Sequence, residues 1–215
     1  VFRTNGYAGK WQIPKENPVL GFSLFDAAHP VIVVKKQTAE SRQTFTLAHE
    51  LGHILLHQEN SIDDEDAIYS HQGREAEANN FAGYFLIPDE ILDAIDDNAR
   101  PDNITEYDVW LNKPQTTLGV STEAILLRLL DAGRLSHGLY TAYRNWSSSQ
   151  IFDKEGTGNR AFRYREPRHI LDDRYVRVIL DALEKNKISL TKASKYLDDA
   201  KLSDLRKLEQ YCASH

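Results

Sequence analysis

With 215 residues, 41% of them hydrophobic and 27% charged, the chain has material for one large domain, or one domain with a smaller appendage, around a real core. A net charge of -6 argues against a surface that coats nucleic acid throughout, and no apolar run approaches the roughly 18 residues of a membrane span. A single cysteine, Cys212, excludes an internal disulfide; with no secretory signal pattern at the start, the compartment expected is the cytoplasm.

The chain opens on Val1 and holds no methionine, as expected of a processed product or a piece of a longer protein. Residues 1–18, with Gly6, Gly9, Pro14 and Pro18, read as irregular. Residues 19–25 and 31–34 are apolar runs of strand length, joined by a connection of hairpin length. Ser41 offers an N-cap for a helix to about His57, apolar around much of its circumference and therefore buried on most sides. Residues 58–72 read as a polar loop carrying the acidic run Asp63-Asp64-Glu65-Asp66; such a run is ordinarily a solvated loop, although it could border a cleft.

A second helix is predicted over residues 74–86, stopped by Pro88. Residues 89–112 read as short helices broken at Arg100-Pro101-Asp102-Asn103. An amphipathic helix follows from Ser121 to the stop at Gly133, then another over residues 136–146. Residues 147–158 have linker composition, which divides the chain into 1–146 and a helical region 147–215.

The chemistry concentrates in His49-Glu50-Leu51-Gly52-His53. Residues four apart on a helix lie about 40° from one another around its axis, so His49 and His53 project from one face and can share one zinc ion. Glu50 stands beside the first ligand, within reach of a water on that ion. A catalytic zinc takes three protein ligands and keeps one position open. The metzincin route to the third is closed, because it needs glycine at 56 and histidine at 59 where this chain has Leu56 and Glu59. His57 lies about 12 Å along the axis from His49 at 1.5 Å per residue, too far to share the ion, and reads as a supporting group.

A glutamate from the second helix remains. Glu75 shares a face with Asn79, which can hold a ligating imidazole, whereas Glu77 points nearly opposite; Glu75 is therefore favoured, with Glu77 and solvated charges as the alternatives. Ala76, Ala78, Ala82 and Gly83 would let the two helices approach closely.

The segments Phe45-Thr46-Leu47-Ala48-His49-Glu50-Leu51-Gly52-His53-Ile54-Leu55-Leu56-His57, Glu75-Ala76-Glu77-Ala78-Asn79-Asn80-Phe81-Ala82 and Leu86-Ile87-Pro88 together resemble the ImmA/IrrE metallopeptidases, regulatory proteases of phage, mobile-element and stress-response systems. The resemblance implies an α+β, zincin-like fold with a minimal thermolysin-like core. It also implies His49, His53 and Glu75 as zinc ligands and Glu50 as general base and then general acid. The expected activity is zinc-dependent endoproteolysis of a protein partner such as a transcriptional repressor. Some members carry an N-terminal DNA-binding domain, which a start at Val1 leaves room for.

The oxyanion-stabilising donor stays open among Tyr69, His71 and Tyr84. Six arginines over residues 159–177 (Arg160, Arg163, Arg165, Arg168, Arg174 and Arg177) could contact DNA, but pairing with the chain's own 32 acidic residues is the simpler reading. Two rivals remain: an antitoxin-type or regulatory binding protein that keeps the fold without proteolysis, and a helical interaction module whose histidines are incidental.

Overall fold

The computed structural model of the chain describes residues 1–4, 12–14, 16–37, 39–68, 70, 72–150 and 164–214. It is a mixed α+β structure, mostly helical, with one four-stranded sheet. The strands are β1 (Phe2–Arg3), β2 (Gly21–Leu24), β3 (Val31–Val34) and β4 (Ser61–Asp63), in the order β1-β3-β2-β4. The predicted hairpin forms as β2 and β3, antiparallel with Phe22 opposite Val33. Two strands arise where the sequence reads as irregular or loop. β1 pairs parallel to β3, and β4 pairs antiparallel to β2 with Gly21 opposite Asp63. Each is too short to show an alternating pattern.

Helix α1 (Glu40–Gly52) lies against β2 and β3. Its N-cap is Ala39, with no side-chain cap, rather than Ser41, which sits inside the helix. The expected single helix to His57 changes character at His53: residues His53–His57 form a π turn, closed by Gln58 N–H donating to the His53 carbonyl at 3.0 Å. Ile32, Val34 and Ile54 make a small core between helix and sheet.

The loop after it holds β4 and then α2 (Glu65–Ile68). Helix α3 (Gly73–Leu86) crosses α1 at close range. A Cβ on Gly52 would come within 3.2 Å of the Ala78 Cα and 3.1 Å of the Phe81 ring, so the close crossing favours glycine there.

The main core runs from the end of α3 through α4 (Asp89–Asp93), α5 (Tyr107–Trp110), α6 (Asn112–Leu118), α7 (Thr122–Asp131) and α8 (His137–Ser149), around Ile87, Leu111, Ile125, Leu126 and Leu129. Ser121 and Ser136 cap α7 and α8, and Gly133 takes the left-handed conformation just past α7, all as the sequence predicts. Ser147–Ser149 form the last turn of α8, and the rest of the expected linker to residue 158, apart from Gln150, lies outside the described residues.

Arg128 is buried in this core. Its guanidinium lies 3.6 Å over the Tyr84 ring and donates to Asp89 at 2.6 Å, tying the end of α3 to α7.

A separate apolar cluster joins α9 (Glu166–Leu171), α10 (Asp173–Glu184), α11 (Leu190–Tyr196) and α12 (Leu202–Ser214), including buried Cys212. Helices α11 and α12 are separated where Asp198 and Asp199 adopt left-handed φ values of 60° and 53°. Phe2 packs on this cluster, and Glu166 pairs with Arg3 and Lys36 at 3.3 Å each, fastening it to the sheet. No helix among the described residues is long and apolar enough to cross a membrane.

Candidate metal centre

Helix periodicity alone turns His49 and His53 to one side of α1, and the structure brings their Nε2 atoms to 3.0 Å. Both rings are buried. Their outer nitrogens have partners that set the tautomer. Asn79 on α3 donates through its amide nitrogen to the carbonyls of Ala67 (3.2 Å) and Ser70 (3.1 Å), so its oxygen faces His49 Nδ1 at 2.8 Å and accepts a hydrogen bond from its N–H.

His53 Nδ1 lies 2.9 Å from His57 Nδ1, and His57 Nε2 lies 2.9 Å from Glu77. A carboxylate accepts, so His57 donates from Nε2, receives at Nδ1, and holds the His53 proton on Nδ1. His57 ends the π turn and takes part in this relay, its ring 5.0 Å centroid to centroid from His53.

Both Nε2 lone pairs therefore point at one another at 3.0 Å, an arrangement that repels unless a cation sits between them. Glu75, from the first turn of α3, places Oε2 3.3 Å from each of these nitrogens. Among the described residues that oxygen has no hydrogen bond of ordinary geometry. The site thus collects donors with free lone pairs and no protons to share among them, which fits a divalent metal.

Glu77 stays away from this point, as its position on the helix predicts, and serves His57 instead. Of the oxyanion candidates, Tyr69 and His71 lie outside the described residues, and the Tyr84 ring is under Arg128.

The acidic loop needs correction. Asp63, expected in a solvated run, is buried on β4, with Oδ2 3.5 Å from His49 Nε2 and 3.6 Å from His53 Nε2. His49, His53, Asp63 and Glu75 each offer one atom, all within 4.8 Å of one another. The pattern that marks it is an inverted one, Ser61-Ile62-Asp63, in which the isoleucine is exposed and the aspartate buried.

Glu50 is wholly buried under β2. A Cβ on Gly21 would stand 2.7 Å from its Oε1 and 2.7 Å from Thr46 Cγ2, so any side chain there would displace the carboxyl. Surrounded by protein groups alone, Glu50 is pushed from an ordinary 4.5 up to about 9, by burial first and then by Asp63 beside it. Burial would also raise Asp63, but contacts with His49, Glu50 and Ser61 outweigh it and hold Asp63 down at about 2. Burial, outweighing the attraction of Asp63, lowers His53, which keeps its ring neutral.

The shift at Glu50 has a consequence for stability. A carboxyl raised in the fold costs nothing below its unfolded value and progressively more as pH climbs to the folded one. Chelator-treated protein should therefore lose stability between pH 5 and 8.5 in urea titrations. Glu50→Gln should flatten that slope, and an unchanged slope in the variant would show that Glu50 is not the titrating group.

The IrrE N-terminal-like domain family of peptidases matches residues 13–130, more than half of the chain and the whole of the donor cluster. The chain belongs to the ImmA/IrrE family. A relative, described as uncharacterized immunity region protein 2 of Bacillus phage phi105, is 32% identical over 84 residues, 38% of this chain and 52% of that protein. The chain thus spans about half the length of this relative. Membership in a peptidase family and the donor cluster together imply a metal in this ImmA/IrrE chain.

Proposed function

We propose that the chain is a zinc-dependent endopeptidase of zincin-like fold that cleaves a specific protein partner, such as a transcriptional repressor or regulator. The observation that carries this reading is the convergence of two lone-pair-bearing imidazole nitrogens and the Glu75 carboxylate, beside a buried glutamate one residue from the first ligand. Neutral imidazoles with one or two carboxylates suit zinc, whose preferred donors are nitrogen, sulfur and carboxylate oxygen.

Bound there, zinc would supply a Lewis acid for the scissile carbonyl and lower the pKa of its water towards about 7. His49 and His53 orient the site, each fixed by the partner on its outer nitrogen. Glu50 takes the proton from the attacking water and returns it to the leaving amine. With a dication held by His49, His53 and Glu75, Glu50 would be favoured in its ionised form against its burial, and so could accept the proton.

The regulatory setting draws on the phage relative, whose description places it in an immunity region. DNA contact through the C-terminal arginines gains little support. Arg168 and Arg177 both pair with Asp173, and Arg165 lies over the Tyr211 ring at 4.5 Å; Arg160 and Arg163 lie outside the described residues.

The test is to map new protein N-termini in cells expressing the chain or Glu50→Gln. One or a few cuts in a regulator, absent with the variant, are expected. Identical termini in the two cultures would refute proteolysis.

A further inference from the structure

We propose that Asp63 is a fourth metal donor, so that the centre rests with its coordination shell closed and becomes reactive only when Asp63 withdraws. This rests on the metal-centre reading above and goes beyond it, because a peptidase of that reading needs only three protein ligands.

The spacing of the donors carries the inference. Four atoms bonded to one zinc at about 2.0–2.1 Å in a tetrahedron stand about 3.3–3.4 Å from one another. The separations here are 3.0 Å between the imidazole nitrogens, 3.3 Å from each to Glu75, and 3.5 and 3.6 Å to Asp63. Asp63 thus stands at nearly the same range from both imidazole nitrogens as Glu75, and within 4.8 Å of the Glu75 donor, so one ion can reach all four.

Its carboxylate is also built in. Ser61 Oγ donates to Oδ1 at 2.7 Å and fixes the group's rotation. The Asp63 carbonyl accepts from Leu20 N–H at 2.8 Å, and the strand register sets the residue opposite Gly21. Oδ2, the atom facing the imidazoles, is buried without a hydrogen bond of ordinary geometry among the described residues.

Charge points the same way. Two neutral imidazoles and Glu75 alone would leave a dication with one charge uncompensated among its direct donors, and Asp63 cancels it. Sites with four protein ligands are structural and inert, whereas catalytic ones keep a position open. A centre with His49, His53, Glu75 and Asp63 all engaged is therefore latent, and an open position requires that Asp63 leave its corner.

The experiment uses the whole chain loaded with Co2+, whose visible absorption reports the donor set, and azide as a probe of an open position. Wild-type spectra should not respond to azide. Asp63→Ala should respond, and should bind Co2+ more weakly by more than about tenfold, the least that even loss of an outer partner costs. Asp63→Asn, which keeps the side chain's volume, guards against a folding failure in the alanine variant and should weaken binding in the same direction.

A wild-type spectrum that shifts with azide, or an Asp63→Asn protein with unchanged Co2+ affinity and spectrum, overturns the proposal. Run alongside, a His49→Ala/His53→Ala double variant separates the two levels. If it keeps full Co2+ affinity, the centre itself is wrong; if it loses Co2+ while Asp63 variants do not, only the fourth ligand is wrong.

Discussion

Glu50→Gln should reduce cleavage of the protein partner by about 10²–10⁴-fold, the usual contribution of a positioned general base, while leaving metal content unchanged. The amide has nearly the carboxylate's shape, so it fits under Gly21 in the same space. What it loses is the capacity to accept a proton from water and return it to the amine. Because the carboxyl is buried and raised in protein surroundings, the exchange should also leave the metal-free protein no less stable at neutral pH. Single-turnover cleavage of the partner, with zinc measured on the same samples, separates loss of the base from loss of the metal. Equal loss of both would mean that Glu50 supports the fold of the site rather than its chemistry.

Glu75→Ala and Glu77→Ala should differ widely in metal affinity, although the residues are two apart on one helix. Glu75 Oε2 stands 3.3 Å from both imidazole nitrogens, and its removal takes a donor from the ion. The expected loss exceeds the roughly 10–100-fold typical of an outer partner. Glu77 pairs with His57 at 2.9 Å, so its removal should fall within that range, by releasing the His57 ring that keeps the His53 proton on Nδ1. Competition with a chelating dye measures both. Equal affinities for the two variants would undo the assignment of roles.

Much of this arrangement is legible in the sequence because it depends on helical periodicity. A four-residue spacing puts His49 and His53 on one face, and the same rule pairs Glu75 with Asn79. The small residues of α3 signal a close crossing, which Ala78 against Gly52 realises. Asp63 is hidden for a definite reason. Strand β4 has three residues, its isoleucine faces out and its aspartate in, so hydrophobicity points the wrong way, and three neighbouring acidic residues dilute the signal.

The π turn is equally hidden, because His53-Ile54-Leu55-Leu56-His57 reads as ordinary helix until the positions of the two rings are known. β1 cannot be read locally at all. Its two residues become a strand only because β3 is already in place to pair with them.

The most direct test of the central claim is anomalous scattering at the zinc edge from crystals of the chain grown with equimolar zinc. The account predicts a single strong peak at coordination distance from His49 Nε2, His53 Nε2 and a Glu75 carboxylate oxygen. A zinc site elsewhere on the molecule, or fully ordered imidazoles with no peak between them, would contradict it.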